Sequence, residues 1–183
     1  MLKLFVISDL HLSFGVDKPM NVFGDKWNNY EEKIKDDWLS KVKDDDYVIL
    51  AGDISWAMYL EEATKDFEFI NNLPGKKIIL KGNHDYWWET VTKLNTFLKE
   101  NKFNSIMFLH NNFIDVGDYL ICGTRYWAET EGYDNEKVFN REITRAKLSL
   151  KLAADYIKLN EEKNIKDSKL TQNLLKSNKK IIM

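Results

Sequence analysis

The sequence is short of the residues that would staple it covalently or carry it into a bilayer. Cys122 is the only cysteine in 183 residues, which excludes an intrachain disulfide and a thiolate metal cage. No apolar run approaches the ~20 residues of a membrane-spanning helix. The N-terminal apolar stretch from Leu4 to Ile7 is cut off by Ser8 and Asp9, too early for a secretory leader. An excess of one charge is missing too: 27 Lys and Arg stand against 29 Asp and Glu, for a net charge of -2. That balance creates no field for unspecific attachment to nucleic acid or an anionic membrane. There is no repeat, linker or low-complexity segment. With 44% hydrophobic and 31% charged residues, the chain reads as one globular domain over residues 1–183, in the cytoplasm.

The pattern alternates strands with helices. Leu2 to Ile7 reads as a buried strand, Tyr30 to Val42 as a helix burying Ile34, Trp38 and Val42, and Tyr47 to Ala51 as a second buried strand. A helix carrying Leu60, Ala63, Phe67 and Ile70 at helical spacing follows, then the turn Pro74-Gly75 and a third strand, Lys76 to Leu80. Strand, helix, strand, helix, strand is the pattern of a parallel sheet with crossover helices, an α/β fold. A helix is expected from Tyr86 to Glu100 with Val91, Leu94 and Leu98 inward. Short strands are expected at Ser105 to Leu109, Phe113 to Val116 and Tyr119 to Cys122, the last two joined by a hairpin at Gly117-Asp118. From Glu136 to Asn160 the chain reads as one long charged helix whose buried stripe is Leu148, Leu152, Tyr156 and Leu159. A short helix at Leu170 to Leu175 and a strand beginning at Lys179 complete the reading.

Each of the first three strands runs into a polar cluster: Asp9-Leu10-His11, Gly52-Asp53 and Gly82-Asn83-His84-Asp85. Ligands of open parallel sheets bind outside the carboxyl ends of the strands, so the three loops should converge on one crevice. Asp9 and His11 stand two apart, so in an extended segment their side chains project to the same side and can share one ion. The Asp53 carboxylate can bridge two ions, and Asn83 offers a carbonyl oxygen without further negative charge. Nitrogen and oxygen donors without sulfur suit Mn, Fe or Zn. Two such divalent ions can activate a water and hold both the attacking and the leaving oxygen of a phosphoryl group. His84, beside Asn83 and free to reach a substrate, is the natural proton donor to the leaving oxygen. The plain alternative makes these residues polar turns that cap helices; it suits any one cluster far better than three in order.

The ordered triple resembles the first three motifs of the calcineurin-like metallophosphoesterases, and Gly123-Thr124-Arg125-Tyr126-Trp127 resembles a segment of the small bacterial members. The resemblance implies two packed mixed β-sheets flanked by helices and activity on phosphomonoesters or phosphodiesters. It places Asp9 and His11 on the first metal, Asp53 between two metals, Asn83 on the second and His84 at the leaving group. It also implies later motifs, a lone histidine and a Gly-His-x-His, that this chain lacks: its histidines are His11, His84 and His110. The expectation is therefore a domain truncated at the C-terminal end, with C-terminal strands missing, sheet edges exposed and solubility poor. The substrate expected is a small-molecule phosphate ester, with neither membrane nor nucleic acid as partner. A non-catalytic binding scaffold of the same fold is the rival reading, and a nuclease of the same superfamily is disfavoured by the charge balance.

Other residues have two readings each. Asp85 can orient His84 or cap a helix, and capping is the commoner role. Trp56, Tyr86, Trp87, Trp88 and Trp127 lie beside the motif loops, where aromatics belong more often to the core than to a substrate pocket. Arg125 can clamp a substrate phosphate with its planar fork or serve in an ordinary ion pair. His110 reads as a loop residue at a strand end.

Overall fold

The computed structural model describes residues 2–125, 135–168 and 179–183. They form two compact units, residues 1–108 and 109–183.

The first unit is built on a four-stranded parallel sheet in the order β1-β2-β3-β4, comprising β1 (Leu4–Ile7), β2 (Tyr47–Leu50), β3 (Lys76–Ile79) and β4 (Ile106–Phe108). The order follows the chain because each strand returns through a helix: α1 (Tyr30–Lys41), α2 (Thr64–Asn72) and α3 (Val91–Glu100). β2 is apolar on both faces, and β3 buries Lys77, Ile78 and Ile79, as a covered parallel sheet requires. β1 lies at the edge and is only half-buried, with Val6 exposed, so the expectation of a buried first strand fails for an edge position. Phe67 anchors the core: its ring meets Trp87 and Phe97 edge-on at 5.0 and 5.4 Å. Leu50, Ile70, Ile79 and Leu94 surround it at 0% exposure. Each such side chain withdrawn from water contributes about 1.5–3 kcal/mol.

Two helix starts differ from the sequence reading. Leu60 and Ala63 are buried but precede α2, and α3 begins at Val91 rather than Tyr86. Thr90 is the N-cap of α3, its hydroxyl accepting from the Lys93 N–H, and Val91 is exposed. The residues between His84 and Thr90 are thereby released from helical geometry.

In the second unit β5 (Asn112–Val116) and β6 (Tyr119–Gly123) form the expected hairpin around Gly117, whose φ of 60° suits a tight turn. β7 (Lys180–Ile182) adds in parallel to β6, making this sheet mixed. The α/β class with two sheets and flanking helices thus stands. The long helix α4 runs from Asn135 to Ser168, but of its expected stripe only Tyr156 packs inward. Ser149 and Ala153 are buried, and Tyr156 and Ile157 pack beside Ala153 against Leu120 and Cys122. Leu148, Leu152 and Leu159 are exposed. Polar bonds help choose the face: Ser149 Oγ accepts from the Gly123 N–H and donates to the Asn112 carbonyl, and Tyr156 donates to Asp115. The helix expected at 170–175 lies outside the described residues. No helix among the described residues is long and apolar enough to cross a membrane.

Candidate metal centre

The three polar clusters leave the carboxyl ends of β1, β2 and β3, and short-range physics holds them together. The segments after β1 and β2 continue side by side: the Asp9 N–H donates to Gly52 O at 3.0 Å, His11 to Asp53 O at 2.9 Å and Leu12 to Ile54 O at 2.9 Å. They are not extended strands. Asp9, His11 and Asp53 have φ of 58°, 46° and 55°, three of the six non-glycine residues in the left-handed region among those described. Each such residue costs of order 1 kcal/mol and persists only where its surroundings dictate it. The same-side argument for Asp9 and His11 therefore fails in its premise, although the two do meet: Asp9 Oδ1 is 3.7 Å from His11 Nε2.

Glycines bring the second and third segments into backbone contact. A Cβ on Gly52, whose φ is 104°, would stand 2.6 Å from the Gly82 Cα; one on Gly82 would stand 2.0 Å from Asp53 Oδ1. Asp85 then locks the contact. Its fully buried carboxylate accepts from the N–H groups of Gly82, Asp53 and Ile54 at 2.7, 2.9 and 2.8 Å, and from the Trp87 indole at 3.0 Å. Burial raises its pKa while those N–H bonds oppose the rise. Asp85 is thus not a helix cap; a helix beginning at Val91 leaves it free to hold two loops.

The outcome is a cluster of donors. His11, Asp53 and His84 each offer an atom within 4.8 Å of the others. Asp53 is buried, accepts the His84 backbone N–H at 2.9 Å, and directs Oδ2 to His84 Nδ1 at 3.0 Å and His11 Nε2 at 4.0 Å. Because a carboxylate only accepts, this contact favours the Nδ1–H form of His84. His11 is largely buried, and its Nδ1 has no hydrogen-bond partner. Its other nitrogen, Nε2, is the one that the Asp9 and Asp53 carboxylates approach, and this mixed set of imidazole and carboxylate donors fits a divalent cation. Asp9 sits at the rim, its side chain 60% exposed. Asn83 is exposed beside His84, its Nδ2 3.1 Å from His84 Nδ1.

The aromatics divide. Trp87 and Trp88 belong to the core, whereas Trp56 stacks on His11 at 4.7 Å and stands 5.6 Å from His84. Tyr86 is 55% exposed with its ring 6.3 Å from His84. Trp127 lies outside the described residues. Arg125, half-buried after β6, and His110, whose N–H donates to Asn112 Oδ1, belong to the second unit.

Over residues 2–179 the chain matches the calcineurin-like phosphoesterase family. It belongs to that family. Members are hydrolases of phosphate esters and generally use divalent metals, and the His11, Asp53 and His84 cluster is a candidate place for one. A solved structure from Aquifex aeolicus, a protein of unknown function, aligns with 86% of this chain and 73% of its own at 21% identity and a TM-score of 0.41. No curated protein matches the chain.

Sequence reasoning missed two buried polar residues behind this calcineurin-like site, Asp66 and Ser55. The signal was available. Asp66 is three residues after Ala63 and four before Ile70, on the face that α2 buries.

Proposed function

We propose that this centre hydrolyses phosphomonoesters or phosphodiesters of small molecules, with Asp9, His11, Asp53 and Asn83 holding two divalent ions and His84 protonating the departing oxygen. The observation that carries the reading is the meeting of donor atoms from His11, Asp53 and His84 within 4.8 Å of one another at the carboxyl end of a parallel sheet. Bound ions would supply Lewis acidity at the phosphoryl oxygens and a lowered pKa for the attacking water. The chain's own residues supply position and protons. Asp53, with one oxygen toward both histidines, is the natural shared ligand. Asp9 and Asn83, exposed at the two sides of the cluster, close the shell from the rim. His84 keeps 41% of its side chain exposed. With Nδ1–H turned to the Asp53 carboxylate, its Nε2 is left to carry the proton that the leaving oxygen takes up. Arg125 is proposed to clamp a substrate phosphate. Both units are read as parts of one catalytic domain, a reading supported by a family match that spans them.

Metal content and hydrolysis of bis(p-nitrophenyl) phosphate in Mn-supplemented buffer test the proposal. We expect bound Mn and turnover in the native chain, with both lost in Asp53→Asn. Turnover unchanged by that substitution would refute it.

A further inference from the structure

Two irregular segments carry His11 and Asp53, and something must set their register. The backbone bonds between them end with Trp56 N–H to Leu12 O at 2.9 Å and a bridge between Leu12 and Ser55. Just beyond, both meet one side chain. Asp66, in the first turn of α2 and fully buried, accepts the Phe14 N–H on Oδ1 at 2.8 Å and the Ser55 hydroxyl on Oδ2. The same hydroxyl accepts from the Ala57 N–H at 3.1 Å, which fixes its proton toward Asp66. One carboxylate therefore grips the first segment three residues after His11 and the second two residues after Asp53.

The choice of residue is costly. Asp66 lies between Ala63 and Ile70 on an apolar helix face, and both its oxygens accept from neutral donors. An apolar side chain there would bury surface without desolvating a carboxyl group. A carboxylate is useful at that place because its two oxygens can accept from two separate strands of backbone at once.

We propose that Asp66, acting with Ser55, is a positioning residue for the metal centre, setting the register of the His11 segment against the Asp53 segment and hence the spacing of their donor atoms. The proposal rests on the metal-dependent reading above. It shares the logic of partners behind metal ligands, whose loss typically weakens metal binding by about 10–100-fold without removing a ligand.

The test uses the full chain and two readouts. Amide hydrogen exchange of the metal-free protein follows His11, Leu12, Phe14 and Trp56 against amides in β2 and β3. Mn2+ affinity is measured by electron paramagnetic resonance. In Asp66→Ala we expect loss of protection confined to the loop amides and Mn2+ binding weaker by about 10–100-fold. Asp66→Asn, which keeps an acceptor for Phe14 and offers Ser55 a donor, should restore most of both. If Asp66→Ala fails to fold, Ser55→Ala, which cuts one arm of the clamp, reports the same two quantities.

Unchanged exchange at the loop amides overturns the proposal whatever the metal does. Loosened loops with native Mn2+ affinity overturn it as well, leaving Asp66 merely structural. Equal losses in the Ala and Asn variants would assign the effect to charge and overturn the register argument. A native chain that binds no Mn2+ overturns the metal reading and this role with it, and the exchange data then show separately whether the clamp exists.

Discussion

The two ends of the four-stranded sheet both hold buried ionisable groups and treat them in opposite ways. At the amino end Asp46 accepts the N–H groups of Lys3 and Lys43 at 2.8 and 3.0 Å. Lys77, fully buried, donates to the carbonyls of Asn71, Leu73 and Gly75 where α2 ends. Its ammonium has three protons and three acceptors, so nothing remains for a ligand. At the carboxyl end Asp85 and Asp66 are equally saturated, but Asp53 faces two imidazoles and His11 Nδ1 has no partner. Burial alone does not mark the site. Unused bonding capacity held in place by saturated neighbours does.

The sharpest way to break that comparison is at His84, which two readings claim. As a proton donor its loss should cut hydrolysis of an alkyl phosphate ester by about 10²–10⁴, with metal content unchanged. The loss should be much smaller for a nitrophenyl ester, because nitrophenolate departs with little need of a proton. Steady-state rates on both esters, with metal analysis of His84→Ala, decide the matter. Metal lost together with activity would make His84 a ligand, as its place in the cluster with His11 and Asp53 allows.

Glycine substitutions set the two ends against each other directly. At Gly82 an added methyl would press on Asp53 Oδ1, and at Gly75, with φ of 84°, on Val42 and the Asp46 carbonyl. Both alanine variants should lose of order 1 kcal/mol or more of stability. Only Gly82→Ala should lower kcat, by about 100-fold, since a displacement near 1 Å at a catalytic carboxylate costs that much. Equal kcat losses in both would mean that the sheet transmits strain from end to end.

Much of this was legible in the sequence because strand ends and polar clusters are local signals. Leu50-Ala51-Gly52-Asp53 and Leu80-Lys81-Gly82-Asn83 announce both the strand and the loop that leaves it. The helical spacing of Phe67 and Ile70 likewise fixed the face that α2 buries. What was not legible depended on partners distant in the chain. Asp85 looked like a cap because three of the four groups it binds are known only once β2 and β3 are paired and Trp87 turns inward. The stripe of α4 held at Tyr156 and failed elsewhere because Leu148, Leu152 and Leu159 outweighed Ser149, whose bonds to β5 and β6 no periodicity records. Left-handed φ at Asp9, His11 and Asp53 leaves only a weak trace in sequence, since Asp and His adopt it more readily than most residues but in few of their occurrences.

Acid titration sharpens the role of the saturated groups at the carboxyl end. Burial pushes the Asp66 pKa up to about 6, against the opposing bonds from Ser55 and Phe14. A raised carboxyl pKa means that between about pH 4 and 6 the folded protein holds a proton which the unfolded chain has released. Stability from this group therefore falls as pH rises through that window, by of order 2–3 kcal/mol in all. Asp66→Asn cannot titrate. Its melting temperature relative to the native chain should climb from pH 4 to pH 7, and a difference independent of pH would show that the carboxyl is not desolvated.

At the amino end the expected effect is on stability alone. Burial lowers the Lys77 pKa to about 8. Between about pH 8 and 10.5 the unfolded chain therefore holds a proton that the folded protein lacks, and stability from this group rises with pH across that range. Lys77→Met should abolish the rise. It should also lower stability at neutral pH, because the carbonyls at the end of α2 lose their donor. Metal affinity and kcat should not move, since all three ammonium bonds point away from the carboxyl ends of the strands. A change in either would show that the two ends of the sheet are coupled, and that satisfied groups at one end tune the unsatisfied ones at the other.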